Sequence, residues 1–382
     1  MRPRLYEPIF HQTAVLMRFP LLPLALSAAL LLAACDTGDP GDAPAAAGVL
    51  VVNQGNFSQG NGTVSSYSPA DGTSNPAALT GFASTLQSAL VVNGRLFVAA
   101  DKAGRLDRFA AATLARDGAA LPGLKSARYL ATSATRLYAT SIADTLGGFS
   151  GGALNVLGAD GTRIVRRIAL PMAAEGVAVA GGKAYVALHG FGAGRDVAVV
   201  AGDRLERILT GVCDGPRSVF ADDEGDVNVV CTGATTYDAS YNVTGTTNGA
   251  IVVIDGATGA VEARVALPAQ AGAANSGQDA FFDPSTDVLF VVVGQAVHTF
   301  STTTNTLAAA PLVAETTPIG AVAYDAARKQ LHVARYPAAT PFTLAGTVAV
   351  YTVAGSLAAG SATATALRTY GVGIAPTFIA LR

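Results

Sequence analysis

The chain has 382 residues, half of them hydrophobic and only 14% charged, with a formal net charge of −2. A chain this apolar and this weakly charged folds rather than staying disordered. Its 27 acids against 25 bases leave no basic face to neutralise phosphates, so nucleic acid is excluded as a partner.

The first element is a leader. Residues 19–34 (FPLLPLALSAALLLAA) are uncharged and apolar, with Arg18 just upstream. The run is shorter than the ~20 residues a spanning helix needs, so it reads as a signal peptide over residues 1–34. It ends in Leu32-Ala33-Ala34-Cys35, which resembles a bacterial lipobox, the site where the lipoprotein signal peptidase cuts before the cysteine. Cys35 is therefore the expected lipidation site, and the membrane an expected partner through that anchor. Met17-Arg18 would itself make a normal start for such a signal. Residues 36–47 (DTGDPGDAPAAA) read as a flexible acidic tether. Asp36, Asp39 and Asp42 resemble the signal that sends some lipoproteins of Bacteroidota to the cell surface. In enterobacteria an aspartate at this place retains the lipoprotein at the inner membrane, and both addresses stay open.

From residue 48 the sequence repeats a strand, a turn and three further strands, here called A to D. Second strands fall at 49–53, 94–100, 135–141, 182–189, 226–232, 287–293 and 330–336, each followed by a third strand such as GAIVVID or GTVAVYT. Asp-Gly and Thr-Gly turns follow the third strands. First strands are expected at 87–92, 128–133, 175–180, 217–221, 279–283 and 319–324, so the blade opening at residue 49 lacks one. The final segment, residues 376–381 (PTFIAL), has the first-strand pattern and no second strand after it. The expected fold is all-β: one seven-bladed propeller of four-stranded antiparallel blades over 48–382, closed by the C-terminal strand joining the N-terminal blade.

Three stretches, VLVVNQGNFSQGNGTVSSYSPADG, LQSALVVNGRLFVAADKAGRLDRFAAATL and GPRSVFADDEGDVNVVC, carry a family resemblance. They look like the YncE-like surface-layer propeller lipoproteins of Bacteroidota, whose opening is close to Asn-Glu-Gly-Asn-Phe. Here Asn53-Gln54-Gly55-Asn56-Phe57 departs from it by Gln for Glu. The resemblance covers 48–382 and implies the propeller fold, a surface-exposed place at the outer membrane and Phe57 as a contact residue. One branch of that group captures cobalamin beside a TonB-dependent transporter, which makes corrinoid capture for such a transporter one implied role.

In a propeller the B–C loops and D–A connections share one face around the channel, the default binding site. Long B–C loops are expected at 141–152, 189–195, 232–248 and 336–345, and loops of this length are usually functional. The 232–248 loop offers Tyr237 and Tyr241; either they contact a ligand or they fold back onto the blade. Gln87, Arg128, Glu175, Arg217 and Asp279 precede or open the inner strands and should ring the channel mouth. They would either orient a polar ligand or pair with one another and close the channel. His189 and Tyr336 would face the same side.

Catalysis is not expected. His189, His298 and His332 fall on separate blades, with no HxH or HExxH spacing. GFSGG (148–152) has GxSxG spacing but sits in the 141–152 B–C loop before a third strand, not in a strand-to-helix elbow. There is no phosphate-binding loop, so neither metal nor cofactor is expected. The acidic run 222–226 lies in an A–B turn without EF-hand spacing. Cys213 and Cys231 should meet at one end of the fifth blade's first hairpin, as a disulfide or as two buried thiols. The function expected is therefore a lipid-anchored binding protein of the cell envelope that takes a small molecule. The alternative is a protein-docking scaffold; a lactonase- or lyase-type enzyme ranks third.

Overall fold

The computed structural model describes residues 48–337, 340 and 342–382; the leader, Cys35 and the tether lie outside the described residues. Within them, runs of Val, Ile, Leu and Ala bounded by Gly- and Asp-bearing turns form seven antiparallel blades around a channel. Six inner strands follow one another in chain order: Leu86–Val92, Ala127–Thr132, Val177–Ala180, Pro216–Ala221, Ala280–Asp283 and Ile319–Asp325. The seventh is Pro376–Leu381, which pairs with Val49–Asn53 so that Val49 faces Leu381 and Val52 faces Phe378. Gly48 N–H donates to Arg382 O (3.1 Å) and Arg382 N–H donates back (3.0 Å), tying the first strand of the propeller to its last.

Period-two alternation builds the core, because each strand sends successive side chains to opposite neighbours. In the fifth blade Val227, Val229, Val252 and Ile254 pack against the fourth blade. Val230, Ile251 and Val253 pack against the sixth. Seven apolar clusters result among the described residues, one at each interface between blades. The clusters bury almost no charge, which is why so uncharged a sequence suits the fold.

Two details depart from the expected pattern. The 232–248 segment is not a plain loop: Thr235–Tyr237 and Val243–Thr246 pair as a separate hairpin. Its β-branched residues, Thr235, Thr236, Val243, Thr244 and Thr246, favour extended backbone even away from the blade. The sixth blade's outer edge is split into Thr306–Leu307 and Val313–Ala314. Among the described residues no helix is long and apolar enough to cross a membrane. The B–C and D–A connections lie on one face; the A–B turns, Gly48 and Arg382 lie on the other.

Candidate functional site

The five polar residues at the starts of the inner strands do meet. Arg128, buried on the third blade, donates from Nη1 to Gln87 Oε1 (2.6 Å) and from Nε to Glu175 Oε2 (3.0 Å). On the other side Arg217 Nε stands 3.7 Å from Asp279 Oδ2, an ion pair without a hydrogen bond. Ser218 Oγ donates to the other oxygen of Asp279. Each member is almost wholly buried, so the four ionised groups and Gln87 form a self-paired layer across the channel.

A strap locks this layer, and sequence reasoning missed it. The connection from the fifth to the sixth blade carries a single 3-10 turn, Ala274–Ser276, and runs over the channel axis. Its carbonyls point into the layer: Ser276 O accepts from Gln87 Nε2 (2.8 Å), and Gly277 O from Arg217 Nη2 (2.8 Å) and Tyr129 Oη (3.3 Å). Beyond it Gln278 N–H donates to Thr377 O (2.7 Å) and Gln278 Oε1 accepts from Ile379 N–H (2.9 Å), reaching the closing strand. A β-carbon at Gly277 would collide with Gly320 O, so this crossing requires glycine.

Electrostatics agree with the geometry. Burial opposes ionisation of Glu175, but Arg128 and Arg217 outweigh it and hold its pKa below the usual carboxylate value. Burial likewise works against the charge of Arg128, and Glu175 more than restores it. Tyr129, pushed up to about 12 chiefly by burial, stays a neutral donor. These groups are committed to one another, which is the arrangement a buried charge needs to persist.

The rim of the same face is the opposite in character. Eleven large hydrophobic side chains are exposed among the described residues, and nine of them sit on B–C loops. They are Phe57, Leu146, Phe149, Phe191, Tyr237, Tyr241, Val243, Phe342 and Leu344; the other two, Val261 and Leu367, lie on outer strands. Single exposed apolar residues are ordinary, whereas their concentration on one face is not. Tyr241 is 88% exposed and Leu146 97%. Lys102 Nζ lies 5.1 Å from the Phe57 ring centroid and Lys125 Nζ 5.7 Å from that of Phe149, setting cations beside aromatic tips.

Local structure holds these tips out. In the opening signature Asn53 is buried and donates to Ser65 Oγ (2.8 Å), and Gly55 takes a positive φ of 77°, leaving Phe57 outside. At the hairpin tip Asp238 Oδ1 accepts from Ser240 N–H (2.8 Å) and Asn242 N–H (2.9 Å), and Tyr241 takes φ +62°. Phe191 is likewise left-handed at φ +57°, in a turn where His189 Nδ1 accepts from Gly192 N–H (3.1 Å). Two exposed aromatics in a conformation that disfavours bulky residues are strain retained at the rim. Between them Phe191 and Tyr237 wall a groove of about 480 Å³, floored by Thr232, Thr235 and Gln270.

The structure thus places Phe57, Tyr237 and Tyr241 on the rim, and Gln87, Arg128, Glu175, Arg217 and Asp279 in the buried layer. His189 is half-buried and caps its own loop, its pKa lowered by burial. Tyr336 is buried and packs over Gly320. Leu146, Phe149, Phe191, Val243, Phe342 and Leu344 went unremarked in sequence, although large apolar residues inside Gly- and Thr-rich loops were a readable signal. Cys213 and Cys231 form a disulfide with Cα atoms 6.1 Å apart. It staples the base of the hairpin, where Asp214 accepts from Thr247 Oγ1 (2.9 Å). In the acidic turn Asp222 accepts from Asp226 N–H (2.8 Å) and Asn228 Nδ2 (2.7 Å). No group of three or more His, Cys, Asp or Glu among the described residues is arranged to hold a metal ion.

No family model matches the chain, and no curated protein is similar to it in sequence. Solved structures are similar in fold. The Pseudomonas aeruginosa periplasmic gluconolactonase superposes with a TM-score of 0.61 at 13% identity, covering 88% of this chain and 98% of that one. A proposed 6-phosphogluconolactonase of Bacteroides fragilis gives 0.60 at 13%, covering 90% and 100%. The WD40 propeller domain of Doa1 gives 0.55 at 14%, covering 75% and 85%. At such identities the likeness is one of fold, shared by lactonases and WD40 propellers alike.

Proposed function

We propose that this chain is a lipid-anchored binding protein of the cell envelope that docks a protein partner on its B–C loop face. One observation carries the proposal: the exposed apolar and aromatic side chains gather on the tips of that face while its central charges are paired among themselves. A small polar ligand would need converging, uncommitted polar groups. A protein partner needs aromatic anchors with a charged rim. The lipobox and the resemblance to surface-layer propeller lipoproteins support the anchor and the outer-membrane, surface-exposed address. Because the chain enters the propeller at Gly48, on the face opposite the rim, a lipid upstream leaves the rim free.

The reading carries no catalytic role, since the polar groups nearest the axis are held by each other. The test is site-specific photocrosslinking in the producing cell. A crosslinker at Tyr241 or Phe149 should capture one dominant protein, and one at Val261 or Leu367 should not. Equal products from all four positions, or none from the rim, would sink the proposal.

The groove between Phe191 and Tyr237 favours a second reading, capture of a small molecule such as a corrinoid for a TonB-dependent transporter. Titration with cyanocobalamin separates the two: saturable binding that Tyr237→Ala weakens supports capture, and no binding removes it.

A further inference from the structure

The channel beneath the charged layer is a separate chamber. On the second, third and fifth blades exposure along the inner strand rises away from the layer. Arg128 and Tyr129 are buried, Leu130 and Ala131 half-buried, and Thr132 exposed. Arg217, Ser218 and Val219 are buried, and Phe220 and Ala221 half-buried. The channel is therefore shut at the strap and open among the A–B turns, the face opposite the aromatic rim. The chamber measures about 270 Å³, and its walls include Val177, Val179, Phe220, Phe282 and Phe378.

The chemistry of walls and floor defines an occupant. The lining is mostly apolar, so a guest that buries apolar surface there displaces water favourably. The chamber runs along three to four residues at the inner strands of the third, fourth and fifth blades, with Ala280, Phe282 and Phe378 facing them. That is about 10 Å at the strand rise, which suits a medium-length alkyl chain rather than a globular ligand. Its floor is polar in one limited way. The layer's two arginines and two carboxylates sum to no net charge. Tyr129 Oη and Ser218 Oγ already donate into that layer. Gln278, with its oxygen held by Ile379 N–H, offers a ligand its NH₂ donor.

We propose that the chamber binds an uncharged, elongated apolar molecule with one hydrogen-bond acceptor at its inner end: an alkyl alcohol, ketone or ester. The acceptor meets Gln278, the tail lies against Val177, Val179, Phe220 and Phe282, and entry is through the A–B face. Burial of the tail supplies the affinity, and Gln278 fixes the orientation.

The test uses the full chain with Cys35→Ser, so that no attached lipid competes. Octanol should displace the fluorescent probe N-phenylnaphthylamine saturably and raise Tm. Octanoate should bind about tenfold more weakly, because its charge would be desolvated over a neutral floor. Ala221→Trp, which narrows the mouth, should lower octanol affinity at least about tenfold. Val179→Trp does the same from another blade, should the first variant fold poorly. Tyr241→Ser on the rim should leave octanol binding unchanged, so the chamber and the docking face fail or stand separately. No saturable displacement, or wild-type affinity in both folded tryptophan variants, overturns the site. Octanoate binding as tightly as octanol overturns the neutral-head assignment.

Discussion

The centre and the rim of one face differ in how their side chains are engaged. At the centre, Arg128, Glu175, Arg217 and Asp279 are buried and held by each other and by the strap carbonyls. At the rim, Phe149, Phe191 and Tyr241 stand in water on loops whose backbones are pinned by hydrogen bonds. Charges near a channel axis attract attention as a site, but paired and buried they close the fold. Exposed aromatics contribute little to folding and have a partner's surface to gain. The comparison predicts that central substitutions act on stability and rim substitutions on binding.

The largest effect should come from Arg217→Met, which leaves Asp279 buried without its counter-ion and removes a donor to Gly277 O. Breaking a buried pair costs about 3–5 kcal/mol, read as a lower urea midpoint. Arg217→Met with Asp279→Asn should recover much of the loss, because no lone charge remains. Folded Arg217→Met should still give the Tyr241 crosslink. If it lost the crosslink while keeping its stability, the centre would be the binding site and the comparison would be broken.

Next is the staple beneath the hairpin. Replacing Cys213 and Cys231 with Ser frees a loop spanning 18 residues, which the chain-entropy model puts at about 3 kcal/mol. Urea unfolding of the oxidised and reduced protein measures the same difference without mutation. Hydrogen exchange should rise at Thr235–Tyr237, joining rim order to blade stability.

The blade closure supplies a pH test. His332 on the seventh blade is fully buried, with Nδ1 2.9 Å from Tyr67 Oη on the first, and burial lowers its pKa to about 4. The folded state therefore favours neutral imidazole. Stability is full above the unfolded pKa of about 6.5 and falls as pH drops toward the folded value, by about 2 kcal/mol at pH 5. His332→Gln, which can still accept from Tyr67, should flatten that part of the profile. An equal slope in both proteins would assign the loss to carboxylates elsewhere.

The blades were legible in sequence because an inter-blade core demands period-two alternation, and that demand marks every repeat. Val227, Val229 and Val230 show it within four residues. The orphan strand 376–381 was legible for the same reason, since it had a core face and no following partner. The strap was not legible: its work is done by the carbonyls of Ser276 and Gly277, and a carbonyl's direction leaves no trace in residue type. Pairing within the central layer was only half legible. The register brought the five residues to one level, but only side-chain geometry makes Arg128 meet Glu175 instead of a ligand. The hairpin at 235–246 carried its signal in its threonines, which were passed over in favour of its tyrosines.

The smallest effect on stability sharpens the comparison most. Tyr241 holds φ +62° at a hairpin turn capped by Asp238, a position glycine or asparagine would ordinarily fill. The left-handed backbone costs a non-glycine residue about 1 kcal/mol, and a side chain this exposed recovers almost none of that from packing. Tyr241→Gly should therefore keep the fold and leave stability unchanged or raised by up to about 1 kcal/mol. Partner binding, measured by titration once the crosslinked protein is identified, should weaken by about tenfold or more, as for loss of an aromatic anchor. A gain in stability with a loss in binding would show that the strain is retained for the contact. Unchanged binding would move the anchor to Phe149 or Phe191 on the neighbouring loops.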